Sequence, residues 1–86
     1  MAREEIRKFV VTNVSATVLR TLLGNEIDEK TVRAPDKVVT LTEYYGRLIV
    51  VVTPANGGRK FSYSFSPEEL GIIPSRCDAL WQCSIH

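Results

Sequence analysis

The chain has little to do chemistry with. It holds one histidine, two cysteines and one tryptophan, and no apolar run longer than 48–52. The histidine, His86, is the last residue given, a poor place to fix an imidazole beside a nucleophile. Cys77 and Cys83 are too few for a secreted disulfide scaffold. On one helix they would stand about 9 Å apart along the axis, and a bridge needs Cα atoms within about 7 Å, so free thiols are expected. The spacing C-x5-C-x2-H that His86 completes has a wider first pair than structural zinc sites and lacks a fourth ligand. No metal and no cofactor is therefore expected, short of a shell completed by another chain in an oligomer.

Other absences narrow the function further. No stretch approaches the ~20 apolar residues of a membrane-spanning helix. The start, Met1-Ala2-Arg3-Glu4-Glu5, has charges of both signs and no apolar region of a signal peptide, so the chain reads as cytoplasmic (within the host cell if the source is viral). An excess of one charge is missing as well: 11 Lys+Arg face 10 Asp+Glu, without the basic surplus of a non-specific phosphate binder. The turn at 56–60 has two glycines and two basic residues but no Gly-Lys-Ser/Thr ending, which excludes a P-loop. Carboxylates fall in sequential pairs, Glu4-Glu5, Asp28-Glu29 and Glu68-Glu69, and form no acid and base couple. A non-enzymatic chain is the expectation.

What is present is a pattern for one small domain spanning 1–86. Hydrophobic content of 44% with 24% charge argues against disorder and for a packed core. Residues 6–12 are rich in β-formers, and a strand is expected there, with Phe9 and Val11 on one face and Lys8 and Val10 on the other. Val14, Val18 and Leu22, with Leu19 and Leu23 beside them, repeat at helical spacing. They predict a helix over 14–23, capped by Asn13 or Ser15 and stopped by a left-handed Gly24 followed by Asn25. Residues 26–36 carry six charges and a proline; they read as a solvated connection or as a functional loop.

The clearest signal is a meander over 37–65. Val39 and Leu41 alternate with Thr40 and Thr42. A tight turn at Gly46 with Arg47 leads to 48–52, apolar at every position, as in a central or doubly covered strand. Pro54-Ala55-Asn56-Gly57-Gly58 is a turn, and 61–65 then alternates strictly, placing Phe61, Tyr63 and Phe65 on one inward face and Ser62 and Ser64 on the other. Ser66-Pro67-Glu68-Glu69 has the form of a capping box, limited to one turn by Gly71. Pro74 to Asp78 repeats that logic before a short helix bearing Cys77, Leu80 and Trp81.

The fold class expected is α+β: an antiparallel three- to four-stranded sheet, the meander 37–65 with 6–12 as its fourth strand, helix 14–23 on one face and short C-terminal helical turns. The polar positions Thr40, Thr42, Ser62 and Ser64 mark the other face. The order strand, helix, three-stranded meander, helix is similar to that of double-stranded RNA-binding modules and RelE-like ribonuclease toxins. The likeness is one of element order alone, since the motif residues of neither are found.

Three functional expectations follow. The first is a protein-protein interaction or regulatory module that binds a partner through a sheet edge or face, as a homodimer among other forms, with Tyr44, Tyr45, Arg47 and Trp81 as contact residues. The second is a nucleic-acid-binding protein using a basic patch of Arg7, Lys8, Lys37, Arg59 and Lys60. The third is a ribonuclease toxin using those basic residues with Tyr44 or Tyr45.

Overall fold

The computed structural model describes residues 2–25 and 28–72. The element order is α1 (Arg3–Asn13), α2 (Ala16–Gly24), β1 (Glu29–Ala34), β2 (Lys37–Tyr44), β3 (Arg47–Pro54) and β4 (Phe61–Phe65). The four strands form one antiparallel sheet in sequence order, so every connection within it is a hairpin and the sheet is an open meander. Both helices lie on one face, giving two layers around a single core.

Alternation assigns the faces. Val39, Leu41 and Glu43 on β2, Leu48, Val50 and Val52 on β3, and Phe65 on β4 are buried. They join Ile6 and Val10 from α1, Val14 at its C-cap, and Leu19 and Leu22 from α2, with Leu70 and Ile72 beyond β4. Each fully buried aliphatic or aromatic side chain contributes on the order of 1.5–3 kcal/mol through the water it sheds. Val38, Thr40, Thr42, Ile49, Val51, Thr53, Ser62 and Ser64 alternate with them on the opposite face, half-buried or exposed. The 48–52 run therefore divides into three core residues and two, Ile49 and Val51, half-buried on the opposite face.

Two expectations are overturned. Residues 6–12 are not a strand but the body of α1. Ile6, Phe9, Val10 and Val14 recur at spacings of three and four, and the last three turns of packing outweigh the β propensity of Phe-Val-Val. Val11, placed by that period on the outer side, is 43% exposed. The fourth strand lies instead at 29–34, inside the stretch read as a loop. The order is thus helix, helix, four strands, and the element order on which the likeness to RNA-binding modules and RelE-like toxins rested is not that of this chain.

Local signals explain the ends of elements. Ser15 caps α2, its Oγ accepting from the Val18 amide at 3.3 Å. Gly24 does not adopt the left-handed conformation expected of it. The helix closes through Asn25, whose backbone N–H donates to the Leu22 carbonyl and whose side-chain amide donates to the Thr21 backbone carbonyl. The capping box after β4 forms reciprocally: Ser66 N–H donates to Glu69 Oε1 at 3.0 Å, and Glu69 N–H to Ser66 Oγ at 3.2 Å. Gly71, at φ +73°, then ends the turn. The second helix start, at 74–78, lies outside the described residues.

Candidate functional site

The turn between β2 and β3 fixes which backbone groups the sheet leaves unpaired. It consists of Tyr45 and Gly46 at φ +50° and +77°, the positive-φ pair of a type I′ hairpin, and not of Gly46 with Arg47. Glu43, only 5% exposed, braces it by accepting the Gly46 N–H on Oε1. In such a hairpin the flanking residues, here Tyr44 and Arg47, exchange both backbone hydrogen bonds, and bonded pairs alternate from there. Leu48, Val50 and Val52 therefore bond towards β4, onto Phe65, Tyr63 and Phe61. The N–H and C=O groups of Ser62 and Ser64 point out of the sheet. One of them is already engaged: the Ser64 carbonyl accepts from the Arg3 guanidinium and, at 3.5 Å, from that of Arg47. By the same alternation Lys30, Val32 and Ala34 of β1 bond onto β2, and Glu29, Thr31 and Arg33 present their backbones outward.

The β4 edge is uncharged and aromatic. Its inward side chains grade from core to water: Phe65 is fully buried, Tyr63 half-buried and Phe61 39% exposed. The expectation that all three face the core thus holds at one end of the strand and fails at the other. Phe61 lies opposite Val52, while the N-terminus of α1 crosses the other end of the strand. There Arg3 sits 4.4 Å above the Phe65 ring and 2.6 Å from Glu69. Arg3 and the Ser66 amide hold the Glu69 carboxyl down to about 2, since both bond its charged form. Arg47 reaches over from β3 to bond Ser64 Oγ at 2.7 Å. The strand is pinned at its C-terminal end, and Phe61 and Ser62 are exposed among the described residues.

The expected contact residues Tyr44, Tyr45 and Arg47 share the β2–β3 hairpin. Tyr44 and Tyr45 were expected on opposite faces, one exposed; both are exposed, at 62% and 86%, and their rings meet edge-on at 4.5 Å. Tyr45 belongs to the turn and not to the strand, so strand alternation does not apply to it. Trp81, Cys77, Cys83 and His86 lie outside the described residues.

The expected basic set is divided. Arg7 is salt-bridged to Glu4 and bonds the Glu69 carbonyl; the Glu4 partner holds its guanidinium pKa up. Lys37 pairs with Asp36 at 2.8 Å and lies over the Phe9 ring, and the bond it gives Asp36 lowers that carboxyl. Lys37 does share one end of the sheet with the Arg59 turn, since it pairs with Pro54 and Asp36 accepts the Ala55 amide. Lys8, Arg59 and Lys60 have no acidic partner among the described residues. Those residues also contain no group of three His, Cys, Asp or Glu placed to hold a metal, and no helix long and apolar enough to cross a membrane.

Sequence reasoning missed Arg3, the ion pair it makes with Glu69 and the edge position of β4. The one available signal was a five-residue strand without charge, set between Arg59-Lys60 and Glu68-Glu69. Comparison with protein-family models, with curated proteins and with solved structures finds no match to this chain.

Proposed function

We propose that this chain is a non-enzymatic interaction module that takes an extended segment of a partner protein onto β4 by strand addition. The observation that carries the reading is the outward backbone of Ser62 and Ser64 on an uncharged strand, with Phe61 exposed beside it. Strand addition needs main-chain donors and acceptors for affinity and an apolar side chain at alternate positions for selectivity. Tyr44 and Tyr45 extend an aromatic surface at the far hairpin, suited to a larger contact.

The basic residues support a second reading less well. Of the five, Arg7 and Lys37 are engaged with carboxylates, leaving Lys8, Arg59 and Lys60 to meet a phosphate backbone. A gel shift with a generic duplex or single strand, weakening steeply with salt, would favour that reading.

Proline at the two edges separates the hypotheses. Ser62→Pro removes an outward amide of β4 and Thr31→Pro one of β1, and neither touches the ladder within the sheet. Affinity capture with the full chain should lose its specific partners in Ser62→Pro and keep them in Thr31→Pro. Partners kept in both variants would sink the strand-addition reading.

A further inference from the structure

We propose that the occupant of the β4 edge is a second copy of this chain, paired antiparallel about a two-fold axis through Tyr63. The inference rests on the reading of β4 as a docking edge and names what docks. The strand Phe61-Ser62-Tyr63-Ser64-Phe65 reads the same in both directions. A two-fold interface requires the same patch to complement itself, and a palindromic strand does so residue by residue. Phe61 meets Phe65 of the second copy, Ser62 meets Ser64, and Tyr63 meets Tyr63.

The backbone agrees with this register. The outward groups belong to Ser62 and Ser64, so the Ser62–Ser64 pairs across the axis are the hydrogen-bonded ones. Two such pairs give four bonds, and the Tyr63–Tyr63 pair between them is the close, non-bonded kind, with Cα atoms about 4.5 Å apart. Any register shifted by one residue would set outward groups against backbone already committed to β3. Arg3 does not block the arrangement: the Ser64 carbonyl has two lone pairs, one taken by the Arg3 guanidinium, and the long 3.5 Å bond it accepts from Arg47 is the one that the Ser62 amide of the second copy displaces.

Charge agrees as well. Arg59 and Lys60 precede β4; Glu68 and Glu69 follow it. Antiparallel pairing brings the basic end of each copy to the acidic end of the other, twice. Parallel pairing would align like with like. The product is a continuous eight-stranded sheet in which both β4 edges are consumed and the Phe61 ring is covered by the Phe65 end of its neighbour. Only the two β1 edges remain, and those carry Glu29, Lys30 and Arg33.

The test uses the full chain. Light scattering behind size exclusion, at about 100 μM loading, should give twice the monomer mass for the wild type and for Thr31→Pro. Ser62→Pro should weaken association about five- to 160-fold, because two bonds worth about 0.5–1.5 kcal/mol each are lost across the axis. In a Cys77→Ser, Cys83→Ser background, Tyr63→Cys should form a disulfide-linked dimer under mild oxidation. Phe61→Cys should not, since its two Cα atoms would stand about 13 Å apart along the strands. A strictly monomeric wild type overturns the proposal. So does a dimer that dissociates on dilution at the same concentration in Ser62→Pro as in the wild type, or one in which Phe61→Cys cross-links as readily as Tyr63→Cys. If the wild type is monomeric but still captures another protein in a Ser62-dependent way, the docking edge stands and the second copy falls; if neither is seen, both fall.

Discussion

β1 and β4 are edge strands of the same sheet, yet β1 carries Glu29, Lys30 and Arg33 within six residues while β4 carries no charge within five. An unpaired edge is a template for any extended chain, and charged side chains are the usual defence. β1 has that defence along its whole length. β4 has it only at its flanks, in Arg59-Lys60 and Glu68-Glu69, and is fastened at one end by Arg3. The contrast separates an edge kept from pairing from an edge kept available for it.

The largest expected effect tests the gradient along β4. Phe65→Ala should cost about 3–5 kcal/mol in urea denaturation, as a fully buried ring does. Phe61→Ala should cost less than about half of that, since 39% of that residue is exposed. Equal costs would mean that the outer end of β4 is as enclosed as the inner end, and the availability of the strand would be lost as an idea.

Next comes the backbone alternation on which the two edges were compared. Val32→Pro on β1 removes an amide bonded to β2 and leaves a buried acceptor unmatched. It should be about 2 kcal/mol more destabilising than Thr31→Pro, whose amide faces outward. Tyr63→Pro should exceed Ser62→Pro by a similar margin on β4. If the even-numbered proline on β4 or the odd-numbered one on β1 is the worse of its pair, the assignment of outward groups is reversed.

The pinned end of β4 predicts an acid limb in the stability of the fold. Glu69 is held at about 2 against an ordinary 4.5 by Arg3 and the Ser66 amide. A carboxyl lowered by folding adds stability that is complete above about 4.5 and is lost as pH falls towards 2. Both partners are well exposed, so after solvent screening the contribution is about 1 kcal/mol. The urea midpoint should decline across that window, and Glu69→Gln and Arg3→Gln should each flatten the decline. A slope unchanged in both variants would remove the ion pair as the fastening.

The smallest effect on stability carries information about the defended edge. Lys30→Thr with Arg33→Thr should change stability by less than about 0.5 kcal/mol, as surface substitutions do. It should nonetheless raise light scattering during refolding, because β1 would then resemble β4 without its flanking charges. No rise would show that charge is not what keeps β1 single.

Much of this sheet was legible in the sequence, and the reasons for the misses are physical. Thr-Leu-Thr, the apolar 48–52 run and the Phe-Ser-Tyr-Ser-Phe alternation each report a half-buried or central strand directly. The Ser66–Glu69 capping box and the Ser15 cap were readable because they act within four residues. β1 was not readable: an edge strand that defends itself with charge has one apolar contact, Val32, and looks like a solvated loop. α1 was misread because Phe9, Val10 and Val11 favour strands when isolated, and only tertiary packing of Ile6, Phe9, Val10 and Val14 selects the helix. For the candidate site, the faces of β4 followed from local alternation. Its place at an edge, and the arrival of Arg3 from sixty-one residues away, depend on topology that no local window contains.

The φ of +50° at Tyr45 has a practical meaning for anyone engineering this chain. A side chain in the left-handed region costs about 1 kcal/mol, and asparagine at that position would relieve most of it. Tyr45→Asn is therefore the simplest thermostabilised version of the molecule, and one that discards half of its outermost aromatic pair. A library selected for heat resistance alone would drift towards that substitution, so the phenol at the hairpin tip is best locked before any such campaign begins.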